Sequence, residues 1–274
     1  MITHRPSAVP APPLDHRKKA PVTAAPSRRL LVLDDDPTGS QCVAGIDVAF
    51  DDDPSIPLEV LSEPGSACFV LTNTRALDEA EAVAMNRRIV GGVLDGGIPA
   101  SGLHVVSRSD STLRGHVIAE PVAIADELAA RGVEVDAFVL CPAMIEAGRF
   151  TEGDIHYATV EGEAVEVAET DFARDATFGY THSDLREFLA ERSGGTIDAA
   201  SVLSISLEDI RTGGPARVRE ILIGARERAW VVVNATEYSD MEVVAEAMAT
   251  LEAEGRTYVT RCAPSFVRPL TGQS

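Results

Sequence analysis

Short apolar runs alternate with amphipathic stretches along most of the chain, and this alternation is the strongest constraint on its fold. The apolar runs are 30–34, 67–71, 103–107, 136–140, 201–205 and 230–234. The amphipathic stretches are 77–94, 116–131, 183–192, 215–228 and 239–254. Strands that alternate with helices in this way form a sheet that is covered on both faces. The sequence therefore predicts an α/β fold, Rossmann-like and three-layered, in which a largely parallel sheet carries helices on both faces.

Two segments fall outside this alternation. Residues 142–181 are polar and contain several glycines, and the sequence at 156–168 predicts a β-hairpin insertion near residues 150–170. Residues 1–28 are rich in proline and alanine and have no periodicity, which is typical of a disordered tail. We therefore expect one folded domain over residues 29–270.

The charge of the chain excludes several kinds of partner. It carries 43 acidic and 24 basic residues, which gives a net charge of −19. Such a charge opposes binding to nucleic-acid phosphates and to anionic membranes, so neither partner is expected. The lysines are confined to Lys18 and Lys19, which excludes a Schiff-base lysine or a phosphate-loop lysine in the folded body. Arginine remains available to bind carboxylates and phosphates.

The cysteines and the apolar segments indicate the cellular compartment. The four cysteines lie far apart, without the paired spacing of a disulfide framework or a zinc site. No apolar run reaches the length of a membrane span, and the N-terminus lacks the apolar core of a secretory signal. The sequence therefore predicts a cytoplasmic protein with no metal site of its own.

Unusual polar clusters follow the predicted strands. The clusters are 34–41, 72–75, 107–116, 141–149 and 234–240. The carboxyl ends of the strands in an open parallel sheet lie along one edge, and this edge is where ligands bind. The sequence therefore predicts a binding site there.

The cluster at 34–41 places Asp34, Asp35 and Asp36 in succession behind a buried strand. Like charges this close repel each other, so at least one carboxyl is protonated, paired with an arginine or bound to a cation. An acidic turn is the simplest structural interpretation. The functional interpretations are a general base for a hydroxyl, a magnesium ligand or a nucleophile.

The cluster at 107–116 combines Asp110 and Arg114 with the hydroxyls of Ser109 and Ser111. A helix that begins just after Arg114 adds free backbone amides and the positive end of its dipole. This combination suits an anion or a polyol. The alternative is a helix cap with an Asp–Arg pair on the surface.

Two further arginines follow predicted strands. Arg149 comes directly after Gly148, and an arginine in this position can hold a carboxylate through two parallel hydrogen bonds. Arg75 has two interpretations: it supplies another polar wall of the binding site, or it belongs to the turn that precedes the helix at 77–94. A lone histidine such as His156 is more often structural than catalytic.

Five motifs occur in a characteristic order: LDDDPTGSQ, TNTRAL, SRSDSTLRGH, the segment from CPAMIEAGRFTEGDIHYA to ETDFARDATFGYTHSDLREF, and VVVNATEYSDM. In this order the chain resembles the sugar-binding N-terminal domain of the four-carbon acid sugar kinase family, formerly the domain of unknown function DUF1537. The resemblance covers about residues 30 to 268. Its most specific parts are SDSTLRGH and PAMIEAGRFTEGDIHY.

The resemblance implies a two-domain α/β kinase that phosphorylates a hydroxyl of threonate, erythronate or 3-oxo-tetronate, with ATP and Mg²⁺ as cofactors. The residues that it carries over are Asp35, Asp36, Asp110, Arg114, Gly148 and Arg149. From their chemistry, we expect Arg114 and Arg149 to bind the substrate carboxylate and an acid of 34–36 or Asp110 to meet the attacking hydroxyl. The residues predicted to be catalytic are Asp35, Asp36 and Asp110. Those predicted to bind the substrate are Asp34, Arg75, Ser109, Ser111, Arg114, Gly148 and Arg149.

Full-length members of the family continue into a C-terminal nucleotide-binding domain with glycine-rich phosphate loops. This chain ends at RCAPSFVRPLTGQS, near the point where that domain would begin, and contains neither GxxxxGK[ST] nor GxGxxG. Phosphoryl transfer requires phosphates clamped in line with the acceptor. We therefore expect the chain to be the product of a truncated gene, one part of a split enzyme that needs a separate nucleotide-binding chain, or a domain of a longer protein. In each case we expect it to bind the sugar acid and to need a nucleotide-binding domain for kinase activity.

Two other functions compete with this interpretation. A haloacid-dehalogenase-like phosphatase would use Asp34 as nucleophile and Asp36 as general acid. Such an enzyme also needs a lysine or arginine and a later acidic pair around magnesium. The absence of lysine from the predicted folded body and of a clear later pair counts against it. The second alternative is a module that binds a sugar acid without turnover.

Overall fold

The computed structural model describes residues 28–36 and 42–273. The predicted tail and residues 37–41 of the first polar cluster lie outside the described residues, apart from Arg28, which is buried and 3.0 Å from Glu252. The strands are β1 (Arg29–Asp34), β2 (Asp47–Ala49), β3 (Ala67–Leu71), β4 (Leu103–Arg108), β5 (Ala137–Cys141), β6 (Arg149–Glu152), β7 (Ile155–Val160), β8 (Glu163–Glu166), β9 (Leu203–Ile205), β10 (Ala229–Val233) and β11 (Tyr258–Cys262). The α-helices are α1 (Ser55–Leu61), α2 (Glu79–Asp95), α3 (Ala119–Ala129), α4 (Leu185–Arg192), α5 (Leu207–Arg211), α6 (Gly214–Gly224), α7 (Tyr238–Ala253) and α8 (Pro264–Leu270).

The central sheet has eight strands in the order β2-β3-β1-β4-β11-β5-β10-β9, and all of its pairings are parallel. Successive residues of β1 face opposite sides of the sheet, as the pleat requires. Leu31 and Leu33 pack in the core beneath α1–α4, whereas Leu30 and Val32 pack in the core beneath α5–α8. The predicted three-layer α/β fold is confirmed.

The sequence analysis did not predict β11, although this strand lies in the middle of the sheet between β4 and β5. Its residues YVTRC interrupt the apolar pattern with Thr260 and Arg261, both of which have 0% exposure. A strand that is buried on both faces usually reads as a continuous apolar run. The polar residues of β11 are tolerated because their partners come from other parts of the chain, and a local pattern does not reveal such partners.

A separate antiparallel sheet of β6, β7 and β8 forms the insertion, which confirms the hairpin predicted near residues 150–170. Thr151 of β6 bridges Ala235, just beyond β10. The Asn234 amide donates to Asp154 Oδ1 (2.7 Å) and accepts from the Asp154 backbone N–H (2.7 Å). These contacts attach the insertion to the carboxyl edge of the central sheet.

The parallel register determines which polar residues meet at that edge. Asp34 lies opposite Arg108, Ser107 lies opposite Arg261, and Arg108 lies opposite Cys262. Charged residues from β1, β4 and β11 therefore become neighbours although they are distant in sequence. Within the described part of the chain, none of the helices combines the length and the apolar character needed to cross a bilayer.

Candidate functional site

A pocket opens at the carboxyl edge of the central sheet, among the loops that follow the strands. It encloses about 300 Å³ of space, part of which is open to solvent. Its lining residues are Asp36, Arg75, Arg108, Ser109, Asp110, Ser111, Met144 and Pro264. The structure thus brings together five residues that the sequence assigned to the site: Asp36, Arg75, Ser109, Asp110 and Ser111.

Asp34 and Asp35 lie behind the pocket wall, with 0% and 1% exposure. Arg108 Nη1 donates to Asp34 Oδ1 (2.5 Å), and the Asp36 backbone N–H donates to the same oxygen (3.1 Å). Asp35 lies between two guanidiniums, 3.6 Å from Arg261 and 3.7 Å from Arg108. Of the three successive acids, Asp36 is therefore the one that lines the pocket, while Asp34 and Asp35 belong to buried ion pairs.

Arg261 and Glu120 complete the buried ion network. Arg261 has 0% exposure and donates to Ser107 Oγ (2.6 Å) and to Glu120. Gly115 passes close to it with a φ of +112°, and a Cβ atom there would lie 2.9 Å from Arg261 Nη2 and 3.0 Å from Asp35 Oδ2. Glycine suits this position because a side chain would both strain the backbone and displace the ion pair.

Burial dominates the titration of the two buried aspartates. It raises the pKa of Asp34 to about 7, although Arg108 favours the ionised form. Burial also raises the pKa of Asp35, and the neighbouring Glu120 adds to this rise while Arg261 opposes it. Three carboxyl groups share two guanidiniums in this network. We therefore expect the network to hold a proton near neutral pH.

The residues at 34–36 do not fit a magnesium site. Each of the three carboxylates pairs with a guanidinium: Asp34 with Arg108, Asp35 with Arg261 and Arg108, and Asp36 with Arg75. Among the described residues, no group of three or more His, Cys, Asp and Glu side chains converges as metal ligands. Magnesium requires near-octahedral oxygen coordination, whereas each of these carboxylates faces a guanidinium.

Asp110 is the centre of the polar wall of the pocket. Arg114 Nε donates to Asp110 Oδ2 (2.7 Å), the Thr112 hydroxyl donates to the same oxygen, and Arg75 lies 3.4 Å from Oδ1. Arg75 also pairs with Asp36. Burial by itself raises the pKa of Asp110, but the hydrogen bonds from Arg114 and Thr112 outweigh burial and hold the pKa below its usual value. Asp110 is therefore an ionised acceptor at neutral pH.

Arg114 and Arg149 approach the same aromatic ring. Their Cζ atoms lie 5.4 Å and 5.7 Å, respectively, from the ring centroid of Phe172. Gly148 has a φ of +67°, and a Cβ atom there would lie 2.6 Å from Thr159 Oγ1. Gly148 therefore makes the tight turn that leads into Arg149, the first residue of β6.

The insertion supports the loop that follows β4. The ring of His156, which has 0% exposure, lies with Nε2 2.8 Å from the Ser111 carbonyl and Nδ1 2.9 Å from Thr151 Oγ1. Because a carbonyl oxygen accepts and does not donate, Nε2 carries the proton and Nδ1 accepts from Thr151. The Tyr180 hydroxyl donates to the Thr112 carbonyl (2.8 Å). His156 is thus a buried structural group, as its sequence context indicates.

The polar cluster at 234–240 is absent from the residues that line the pocket. Asn234 binds Asp154 of the insertion, as described above. Asp240 accepts two hydrogen bonds from Arg211, each 2.9 Å long, and its Oδ2 accepts from the backbone at the start of α7. This strand end therefore supports the architecture around the site.

The sequence pattern did not assign to the site three residues that line the pocket, Arg108, Met144 and Pro264. It also missed three residues around the pocket, Glu120, Phe172 and Arg261. Arg261 left one signal, since it lies with Thr260 among the apolar residues of the segment Tyr258–Cys262. Glu120 and Phe172 lie in ordinary surroundings for a helix and a loop. Their roles arise from contacts with residues that are remote in sequence.

Comparisons with known proteins find a matching family model and solved structures of the same fold. The family model of the sugar-binding N-terminal domain matches residues 30–270. A solved DUF1537 structure from Bordetella bronchiseptica, a domain-swapped dimer with bound citrate, is 25% identical, with a TM-score of 0.65, and the match covers 89% of this chain and 56% of that one. Protein HI1011 from Haemophilus influenzae, at 18% identity and a TM-score of 0.65, shares the fold over 88% of this chain and 55% of its own. The chain thus spans about half the length of these structures, and no curated protein matches it.

Replacing Arg261 by methionine should lower the free energy of unfolding by about 3–5 kcal/mol, because Asp35 and Glu120 would remain buried without their guanidinium. Urea unfolding followed by circular dichroism measures the change. Arg219→Met is the matched control, since Arg219 pairs with Glu254 on the surface and its loss should have little effect. An Arg261→Met protein as stable as the wild type would contradict the structural role of the network.

His156 should make stability depend on pH. Burial lowers its pKa to about 4, so between pH 6.5 and 4 the unfolded chain binds the proton more readily and the free energy of unfolding falls as the pH falls. His156→Gln removes this dependence. Between pH 8 and pH 5 the wild type should lose about 2 kcal/mol more than the variant. The exposed His182→Gln serves as control and should follow the wild type, whereas parallel profiles for wild type and His156→Gln would refute the assignment.

Proposed function

Because the chain belongs to the sugar-binding N-terminal domain family, we propose that its pocket binds a four-carbon acid sugar of the threonate, erythronate or 3-oxo-tetronate type. We propose further that the chain is the substrate-binding part of an ATP-dependent sugar-acid kinase. The observation that carries the proposal is the convergence of carboxylates, hydroxyls and guanidiniums in and beside one small pocket. A sugar acid presents the complementary groups, namely several hydroxyls and one carboxylate.

The hydroxyl groups of such a substrate match one wall of the pocket. Asp36, Asp110 and the hydroxyls of Ser109 and Ser111 present acceptors and donors on neighbouring loops. Hydrogen bonds to ionised partners are the stronger ones, so the two carboxylates would dominate the recognition of the polyol. Met144 makes part of the lining apolar, and this part offers no hydrogen-bond partner.

The substrate carboxylate matches Arg114 and Arg149, which do not line the pocket but contact residues that do, Asp110 and Met144 respectively. Arg114 contacts Asp110 of the pocket wall and shares the Phe172 ring with Arg149. The side chain of Arg114 is 28% exposed, so a ligand can reach it. Citrate, which is bound in the Bordetella structure, combines carboxylates with a hydroxyl as sugar acids do, and this supports an acidic ligand.

In this proposal the substrate hydroxyl that attacks phosphorus contacts Asp36 or Asp110, because these two carboxylates line the pocket. Either can accept the proton of a hydroxyl as it attacks phosphorus. Asp35 was predicted to share this role, but it has 1% exposure and faces Arg261 and Arg108. We therefore assign Asp35 to the support of the site.

ATP with Mg²⁺ would supply the phosphoryl group and neutralise its charge when bound. The carboxylates at 34–36 do not fit the metal, and the sequence contains no phosphate loop of the two usual types. In this proposal the nucleotide is therefore held by a separate nucleotide-binding domain or chain. The residues described above bind and orient the sugar acid and receive its proton.

No observation favours the phosphatase alternative. Asp34, its required nucleophile, has 0% exposure and accepts hydrogen bonds from Arg108 and from the Asp36 backbone. A buried, paired carboxylate does not reach an incoming phosphoryl group. A module that binds without turnover would use the same pocket and differs from the kinase proposal in activity alone.

Calorimetry and a coupled assay together test the proposal. We expect the chain to bind D-threonate or D-erythronate, and to form ADP in response to them once a nucleotide-binding domain of the family is added. Binding without ADP formation would support the non-catalytic module. Release of phosphate from a sugar phosphate would support a phosphatase, and failure to bind any four-carbon acid would refute the substrate class.

Replacing Arg114 or Arg149 by alanine should weaken threonate binding by about 10- to 100-fold each, as expected for the loss of a hydrogen bond to a charged group. Titration calorimetry measures the dissociation constants. Arg174→Ala is the matched control, because Arg174 lies two residues from Phe172 and its side chain is 71% exposed. Unchanged affinity in both Arg114→Ala and Arg149→Ala would refute the assignment of the carboxylate to these arginines.

A further inference from the structure

The segment that leads from the insertion to α4 contacts the site at several points although none of it lines the pocket. We call residues 170–180 the strap. The Tyr180 hydroxyl donates to the Thr112 carbonyl, and the Asp175 carboxylate lies 3.9 Å from Arg114. Phe172 contacts both Arg114 and Arg149 through its ring. The strap therefore reaches the two arginines assigned above to the substrate carboxylate.

We propose that Phe172 is a positioning residue, which holds the guanidiniums of Arg114 and Arg149 together as one carboxylate-binding pair. This inference rests on the proposed function of the site. Its geometric basis is that two guanidiniums from different elements, the loop after β4 and the start of β6, lie within 6 Å of a single ring. Such a distance is that of a cation–π contact.

A ring beside both arginines has an electrostatic advantage. Two guanidiniums that must converge on one carboxylate repel each other until the ligand arrives. The negative face of an aromatic ring attracts both cations and does not compete with the ligand for hydrogen bonds, as a carboxylate would. Phe172 can therefore prepare the pair without occupying the donors that the substrate uses.

The strap has the internal support that a positioning residue requires. The Tyr180 backbone N–H donates to the Ala173 carbonyl (3.1 Å), which closes the segment on itself beside Phe172. Asp175 Oδ1 accepts from the backbone N–H groups of Thr177 (2.9 Å) and Phe178 (3.0 Å). Ala173 is buried, whereas Phe172 is partly exposed beside the two arginines.

Substitution of Phe172 tests the inference by titration calorimetry on the full chain with D-threonate, with citrate and with the uncharged polyol threitol. Phe172→Leu should weaken binding of the carboxylate ligands by about five- to tenfold and leave threitol binding within twofold of wild type. Phe172→Tyr keeps the aromatic face and should restore the affinity for the carboxylates. Phe150→Leu is the matched control, because Phe150 lies on β6 and stacks on Tyr157 (5.2 Å between centroids).

The possible outcomes separate this inference from the proposed function. Wild-type affinity for carboxylates in Phe172→Leu, or an equal loss of threitol and threonate binding, would overturn the positioning role. If the wild type binds citrate but no four-carbon sugar acid, the proposed substrate class fails, and the effect of Phe172→Leu on citrate binding tests the positioning role. If the wild type binds neither acid, both proposals fail.

Discussion

The site depends on one buried ion network at the ends of three neighbouring strands. Asp34, Asp35, Arg108, Arg261 and Glu120 are each at most 3% exposed and join β1, β4, β11 and α3. Removing such charges from water costs several kcal/mol for each ion, so they are tolerated when every member keeps its partners. The network therefore couples the positions of these elements. The network supports the pocket wall directly, because Arg108 belongs both to the network and to the lining of the pocket.

The loop after β4 is supported both by this ion network and by residues from outside the central sheet. Its backbone adopts left-handed conformations at Leu113 (φ +68°) and Gly115 (φ +112°), which are costly for a non-glycine residue. Hydrogen bonds from His156 and Tyr180 to its carbonyls hold the loop from the opposite side. The loop that carries the polar wall is thus held by its close approach to the ion network at Gly115 and by hydrogen bonds from His156 of the insertion and Tyr180 of the strap.

Much of the fold could be predicted from local pattern, and the failures have a common cause. The six predicted strands and five predicted helices are all present, with boundaries that differ by a few residues. The missed elements are short, or, like β11, carry buried polar residues such as Arg261. Periodicity detects burial through apolar side chains, so it does not detect a charge whose burial is compensated by distant partners.

The sequence by itself determined the layers of the fold, the hairpin insertion and the edge of the sheet where polar loops gather. These features follow from local periodicity and from the rule that the strands of a parallel sheet end at one edge. Only the tertiary structure decided which of three adjacent aspartates faces the pocket and which two are buried. It also brought Arg114 and Arg149 to one ring. Such choices depend on strand order and register, since these determine which distant charge lies beside each carboxylate and whether water can reach it.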